Sequence, residues 1–232
     1  MHSLRVITGV VKQQLRRECL SMRALVVAML SLALLARIMV PVAQMARETG
    51  YGVTPAGPIF VFSAIYYTFL SVVMLLGVVL LFSGAPYLEA SQTWYILRAG
   101  KCKWLIGQMI ALIVLSIGYV LLWLVGSVAP FLGNMEWKME WGTIWSTLAY
   151  TNAGSAYGNV LEVSANLIKQ YRVADALWLS CALRIGVTLL IALTVFFGNL
   201  FFRAPIGTCA GFLLAFEDLY AINGGIGYWF YW

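Results

Sequence analysis

Residues 58–82, PIFVFSAIYYTFLSVVMLLGVVLLF, and residues 104–131, WLIGQMIALIVLSIGYVLLWLVGSVAPF, decide the fold of this chain. Neither run contains a charged residue, and each exceeds the roughly 20 apolar residues that cross a bilayer core. Both runs are continuously apolar and do not alternate with period two, which indicates helices rather than a membrane barrel. Each run is therefore predicted to be a membrane-spanning helix.

The stretch between these runs, GAPYLEASQTWYILRAGKCKW at 84–104, is polar and carries Glu89, Arg98, Lys101 and Lys103. Basic residues beside a span mark the cytoplasmic side of the membrane. We therefore predict a cytoplasmic loop over 83–103. At about 20 residues it is longer than an ordinary connection, so we expect it to contact something in the cytoplasm.

The composition of the whole chain agrees with this interpretation. Of its 232 residues 62% are hydrophobic and only 10% charged, against about 25% charged in soluble domains. The predicted fold is all-α, a polytopic helical membrane protein with five to six transmembrane or re-entrant segments in one domain, 1–232. We expect a multi-pass plasma-membrane protein with a cytoplasmic N-terminus. The net charge of +6 is modest and indicates no nucleic-acid partner.

Further segments complete this topology. Spans are predicted over 24–43, ending near Pro41, and over 176–202, with an exposed turn at 44–57. Residues 1–22 are predicted to form an interfacial amphipathic helix, with an apolar side of Leu4, Ile7, Val11 and Leu15; a helical extension of the first span is the alternative. The last segment, interrupted by Asn223-Gly224-Gly225, is predicted to be broken or re-entrant.

An external loop is predicted over 132–175. It contains Trp137, Trp141 and Trp145, spaced four apart, which we expect on one face of a short interfacial helix. In the span that precedes it, the small residues Gly107, Ser116 and Gly118 favour close helix packing.

The sequence offers little material for catalysis. The only histidine is His2, no phosphate-binding GxxxxGK[ST] motif occurs, and GxSxG is absent. Histidine-based metal sites and triads are therefore excluded, and no catalytic or metal-ligating residue is assigned. The four cysteines are scattered singly, so a disulfide framework is not expected.

Charged residues within predicted spans are the candidates for function, because burial in the bilayer costs several kcal/mol. They are Arg37, Arg184, Glu217 and Asp218. We expect an intramembrane charge pair or a substrate path. The alternatives are an ion pair that only fixes packing, or arginines that extend to the interface.

The segment Leu97-Arg-Ala-Gly-Lys-Cys-Lys-Trp-Leu-Ile-Gly-Gln108, together with the basic helix before the first span, resembles the permease subunits of ABC-2-type (type V exporter fold) ABC transporters. The matching positions are Glu89, Arg98, Lys101, Lys103, Trp104, Leu105, Gly107 and Gln108. The likeness covers the order of elements from residue 1 to about 200. Permeases of this family usually have six spans and a cytoplasmic C-terminus, whereas five segments are predicted here.

The resemblance implies a non-catalytic subunit that exports a lipid, peptide or drug-like amphiphile. Cytosolic ABC ATPase subunits would bind ATP and Mg, a second permease copy or paralogue would complete the path, and membrane lipid would surround it. The loop would act as a coupling helix through Glu89, Arg98 and Lys101. Two alternatives stay open: a membrane-embedded enzyme or assembly factor using Glu217 and Asp218, and an ion-coupled carrier. The positive-inside rule alone would also explain Lys101 and Lys103.

Overall fold

The computed structural model describes residues 2–63, 68–86, 100–159, 161, 163–202 and 205–223. These residues form nine α-helices, which we number in chain order. The helices are α1 His2–Cys19, α2 Met22–Thr49, α3 Gly57–Phe62, α4 Thr68–Phe82, α5 Lys101–Val128, α6 Thr143–Tyr150, α7 Ala165–Gln170, α8 Val173–Phe202 and α9 Ile206–Asn223. Short 3-10 helices cover Ala129–Phe131 and Ala153–Tyr157. The predicted all-α class is confirmed.

Three of the helices, α2, α5 (with its 3-10 extension) and α8, are long and apolar enough to cross a membrane. At 1.5 Å per residue the 28 residues of α2 extend about 42 Å, more than the roughly 30 Å hydrocarbon core. Only a third of the most apolar window of α2 and of α8 is buried. Large apolar side chains such as Leu183 and Leu190 are exposed, as expected of surfaces that face lipid. The predicted bounds of the third and fourth spans agree with α5 and α8.

The first span was predicted to leave the membrane near Pro41; the helix itself, α2, continues through Pro41 to Thr49. Proline is tolerated inside membrane helices when neighbouring structure compensates for the missing hydrogen bond. Pro41 has no N–H to donate to the carbonyl of Arg37, four residues earlier. The backbone of α2 therefore lacks one helical hydrogen bond beside the only arginine in its middle.

The described chain divides into two compact units. Unit 1 comprises Met1–Met29, Leu75–Tyr119 and Val187–Asp218, and unit 2 comprises Leu30–Met74, Val120–Gly186 and Leu219–Trp232. In unit 1 a Cβ on Gly77 would lie 2.6 Å from the hydroxyl of Tyr119. The missing side chain of Gly77 thus makes room for a buried tyrosine between α4 and α5.

Unit 2 has an aromatic core. The ring of Trp145 is fully buried between Phe60 (centroids 5.0 Å apart) and Phe131 (5.9 Å), and its Nε1 donates to the carbonyl of Thr54 at 3.0 Å. All six residues of α3 are buried. The continuous second span predicted over 58–82 is instead divided between α3 and α4, and its first turns belong to this core.

The predicted tryptophan face was wrong. Helix α6 begins at Thr143, so only Trp145 is in it. Trp137 is 79% exposed, while Trp141 donates its Nε1 to the carbonyl of Tyr171 at 2.9 Å. A four-residue spacing places side chains on one face only if the intervening backbone is helical, and residues 136–142 are not helical.

The turn predicted over 44–57 is also more ordered than expected. Its first residues continue α2, and Val53 is fully buried. Val53 pairs with the segment that follows α5, which was predicted to be external: its N–H donates to Asn134 O at 2.9 Å, and Glu136 N donates to its carbonyl at 3.0 Å. Nearby, a hydrogen bond to Glu48 raises the pKa of the Tyr157 hydroxyl. Two residues of this segment, Glu48 and Val53, are therefore bonded to the loop that follows α5.

Candidate functional site

The predicted coupling loop is described only at its two flanks. Ser83–Pro86 follow α4, and Gly100 precedes α5. Lys101 is the first residue of α5 and is exposed. Glu89 and Arg98 lie outside the described residues. Both flanks belong to unit 1, and their contacts show what the loop is attached to.

The first flank is held by Asn199, a polar residue near the end of the apolar helix α8. Asn199 is 6% exposed, and its Nδ2 donates to the carbonyl of Ala85 at 2.7 Å. Its Oδ1 accepts from the backbone N–H of Thr208 at 3.2 Å, and the Thr208 hydroxyl donates to the Ser83 carbonyl at 3.3 Å. One amide side chain therefore joins the loop, α8 and the start of α9.

This arrangement follows from what helix ends lack. Thr208 is the third residue of α9, and the first four N–H groups of a helix have no partner within it. Asn199 supplies an acceptor for one of them, as a capping side chain normally does from the preceding turn. The loop carbonyls of Ser83 and Ala85 also lie outside regular structure. The buried Asn199 side chain therefore supplies a hydrogen-bond partner both to an N–H group of the first turn of α9 and to a carbonyl of the turn after α4.

Two glycines bring α8 and α9 close enough for this bond. A Cβ on Gly198 would lie 2.4 Å from the Cα of Gly207, and a Cβ on Gly207 would lie 2.4 Å from both Val195 O and Asn199 N. No side chain fits at either position, since the obstacles are backbone atoms. The start of α9 thus packs against α8 backbone to backbone, as small residues permit in membrane proteins.

Ser83 also connects the flank to the first long helix. Its hydroxyl donates to the carbonyl of Leu80 at 2.8 Å and accepts from Arg23 Nη1 at 3.4 Å. Arg23 is the second residue of α2. This second contact is long and exposed, so it adds little to stability.

The second flank is held by α1, which packs on the first turns of α5. Val10 of α1 packs against Gly107 of α5, since a Cβ added to Gly107 would lie 2.8 Å from Val10 Cγ1. Beside this contact, Gln108 Nε2 donates to Gln14 Oε1 at 3.4 Å. The buried stripe of α1 is Val10, Gln14 and Glu18. Ile7, Val11 and Leu15, which were predicted to form the apolar side, are only partly buried. The buried face of α1 thus includes two polar residues. Gly107 packs closely, as predicted, whereas Gly118 has no atom within 4 Å.

The two arginines predicted within spans have different surroundings. Arg184, on α8, donates from Nε to the carbonyl of Phe62 at 3.1 Å and from Nη2 to the same oxygen. A guanidinium there satisfies the last carbonyl of α3 and complements the negative end of that helix. Arg37 is exposed on α2. The structure therefore gives Arg184 a structural contact and leaves Arg37 on the surface of the chain.

Glu217 and Asp218 lie in α9, but their side chains are outside the described part, so an ion pair with either arginine is not tested. Within the described residues no cluster of three His, Cys, Asp or Glu could hold a metal ion. All four cysteines are free; Cys19, Cys102 and Cys209 are exposed.

Sequence reasoning missed Asn199 and the glycine pair. One signal could have found them. An uncharged asparagine lies inside an apolar run, and a glycine eight residues later begins a second run. No known protein family matches this chain, and no curated protein or solved structure matches it significantly.

Proposed function

We propose that this chain is a permease subunit of an ATP-driven exporter of the ABC-2 type, which moves an amphiphilic substrate using a separate ATPase. The observation that carries the proposal is the attachment of the loop at both flanks. Asn199 connects its beginning to α8 and α9, and α1 packs where α5 begins. A force applied to the loop by a cytosolic partner would therefore reach several helices.

The exposed Arg37 supports a second membrane subunit. It lies 15 residues after the start of the 28-residue α2, in the middle of a helix long enough to span. An arginine at the centre of a membrane helix costs about 2.5–3.5 kcal/mol by insertion scales. A neighbouring subunit that covers this position with a polar group would remove much of that cost.

The first test is purification of the chain from native membranes in mild detergent, with mass spectrometry of the proteins that accompany it. A P-loop ATPase in near-equal amount is expected. An otherwise intact complex without such a partner would overturn the proposal, and would direct attention to Glu217→Gln and Asp218→Asn in an assay of the isolated chain.

The role of the loop is tested by site-directed crosslinking from Cys102, which is exposed on the first turn of α5. The other three cysteines are replaced by serine, and a thiol-reactive photocrosslinker is attached. We expect a crosslink to the ATPase. The matched control carries Cys102→Ser and Glu140→Cys, with its thiol at an exposed position of the predicted external loop. A crosslink from position 140 but not from 102 would refute the assigned topology and coupling role.

A further inference from the structure

The N-terminal helix carries a groove that no part of the proposed function uses. It has a volume of about 550 Å³ and is open to the surface. Its lining comes from one side of α1 and the turn after it: Gly9, Lys12, Gln13, Arg16, Arg17 and Leu20. Their spacing of three and four residues places them along one face of the helix. This face is distinct from the Val10, Gln14 and Glu18 stripe that is buried.

The groove is open above Gly9, which has no side chain to fill it. A Cβ added to Gly9 would meet no atom within 4 Å, so the space above it is open rather than packed. Glycine in the middle of a helix costs about 1 kcal/mol relative to alanine. The open floor beside the basic residues is thus formed by a residue that is locally unfavourable to the helix.

Among the described residues that line the groove, the charged ones are all basic: Lys12, Arg16 and Arg17. Lys12 and Arg16 are exposed. The single acidic residue of α1, Glu18, is 4% exposed and does not line the groove. An arginine fork with a neighbouring lysine is the arrangement that recognises phosphate oxygens.

The surroundings select an amphiphile rather than a soluble anion. Leu20 is 77% exposed at one end of the groove, and Met22, where α2 begins, is 80% exposed. The next turns of α2 expose Leu25 and Met29. A basic groove that leads along the chain into an apolar, membrane-length helix suits a phosphate head with acyl tails. The positive surface is also where anionic lipids of the inner leaflet would gather.

We propose that this groove is a binding site for the phosphodiester head of an anionic phospholipid. Lys12 and Arg16 contact the phosphate oxygens, Gly9 provides the space, and Leu20 contacts the start of the acyl chains. The inference does not depend on the ATPase partner: failure of the co-purification test leaves it standing, and its own failure leaves the exporter proposal standing.

The test is native mass spectrometry of the purified full-length chain mixed with dioleoyl phosphatidylglycerol or dioleoyl phosphatidylcholine. We expect one preferentially retained phosphatidylglycerol. Gly9→Leu, which fills the groove without changing charge, and Lys12→Gln/Arg16→Gln should each reduce its retention roughly tenfold, the effect of losing about 1.4 kcal/mol of binding.

Two controls make the result specific. Gly118→Leu adds the same side chain at an exposed helical glycine with open space around it. Arg5→Gln/Lys103→Gln removes two basic residues that do not line the groove. Both controls should bind phosphatidylglycerol as the unmodified chain does, and all variants should show the same helical circular dichroism.

Several outcomes would overturn the proposal. Undiminished binding by Gly9→Leu shows that lipid does not occupy the groove. Equal loss in Arg5→Gln/Lys103→Gln shows diffuse attraction between the basic chain and acidic lipid. Displacement by excess inorganic phosphate identifies a site for a free anion, and displacement by a co-purified protein identifies a protein-docking surface.

Discussion

Replacing Asn199 with leucine should release the start of α9, and the backbone amide of Thr208 reports this directly. Leucine has the same branched skeleton but can neither accept from the Thr208 N–H nor donate to the Ala85 carbonyl, bonds of 3.2 and 2.7 Å in the structure. Loss of a helix-capping acceptor costs about 1 kcal/mol. A buried carbonyl without a donor adds about 1–3 kcal/mol.

Even the lower end of the combined cost, about 2 kcal/mol, corresponds to a change of roughly 30-fold in a local opening equilibrium. Hydrogen–deuterium exchange of the peptide that contains Thr208 should therefore accelerate by about that factor in detergent micelles. The peptide that contains Ala85 should show the same direction of change. Exchange in α6, which belongs to unit 2, should not change.

The matched control is Thr194→Val, also on α8. The Thr194 hydroxyl donates only within its own helix, to Leu190 O at 2.9 Å, so its removal should change exchange at Thr208 by less than about twofold, as expected of an exposed hydroxyl. The capping role would be refuted if the exchange rate at Thr208 in Asn199→Leu stayed within about threefold of the rate in the unmodified chain. It would also be refuted if Thr194→Val accelerated this exchange as much as Asn199→Leu does.

Three further predictions concern packing and can be checked by thermal unfolding in one detergent. Gly207→Ala should destabilise the protein by about 1–3 kcal/mol, because a Cβ there meets backbone atoms. Gly186→Ala, at a position with open space, should be neutral or stabilising. Equal effects of the two substitutions would contradict the close contact between α8 and α9. Trp145→Phe should cost about 1–3 kcal/mol, because it removes the Nε1 hydrogen bond to the Thr54 carbonyl and leaves part of a fully buried site unfilled, while Trp137→Phe at a 79% exposed position should stay within about 0.5 kcal/mol. Arg184→Lys should lower the unfolding temperature despite keeping the charge, because a lysine cannot reproduce the paired donation to one carbonyl; an unchanged temperature would show that charge alone matters there.

The sequence was sufficient for features that depend on composition over many residues. The helical membrane class, α5 and α8 followed from apolar runs of the length that a bilayer requires. Features that depend on one residue were less accessible. The first span was predicted to leave the membrane near Pro41, but the sequence does not show whether the helix also ends there, and α2 continues through the proline to Thr49.

The candidate site was harder to predict because its bonds join distant parts of the chain. Asn199 and Ala85 are 114 residues apart, and nothing in a single sequence pairs them. The tryptophan spacing failed for a related reason: Trp145 is fixed by Phe60 and Phe131 from other elements, and this tertiary contact overrides a local pattern. The roles of Glu89, Arg98, Lys101, Glu217 and Asp218 stay predictions.

The contact between Gly198 and Gly207 limits how α8 and α9 can move. Two backbones without an intervening methyl cannot rotate about their axes or slide along each other without collision, so the start of α9 travels with the end of α8. Asp218 follows Gly207 by 11 residues, about 16 Å along the same helix. A displacement of the loop at Ala85 that moves the end of α8 would therefore move α9 as well, and would shift the acidic pair about three helical turns beyond the glycine contact.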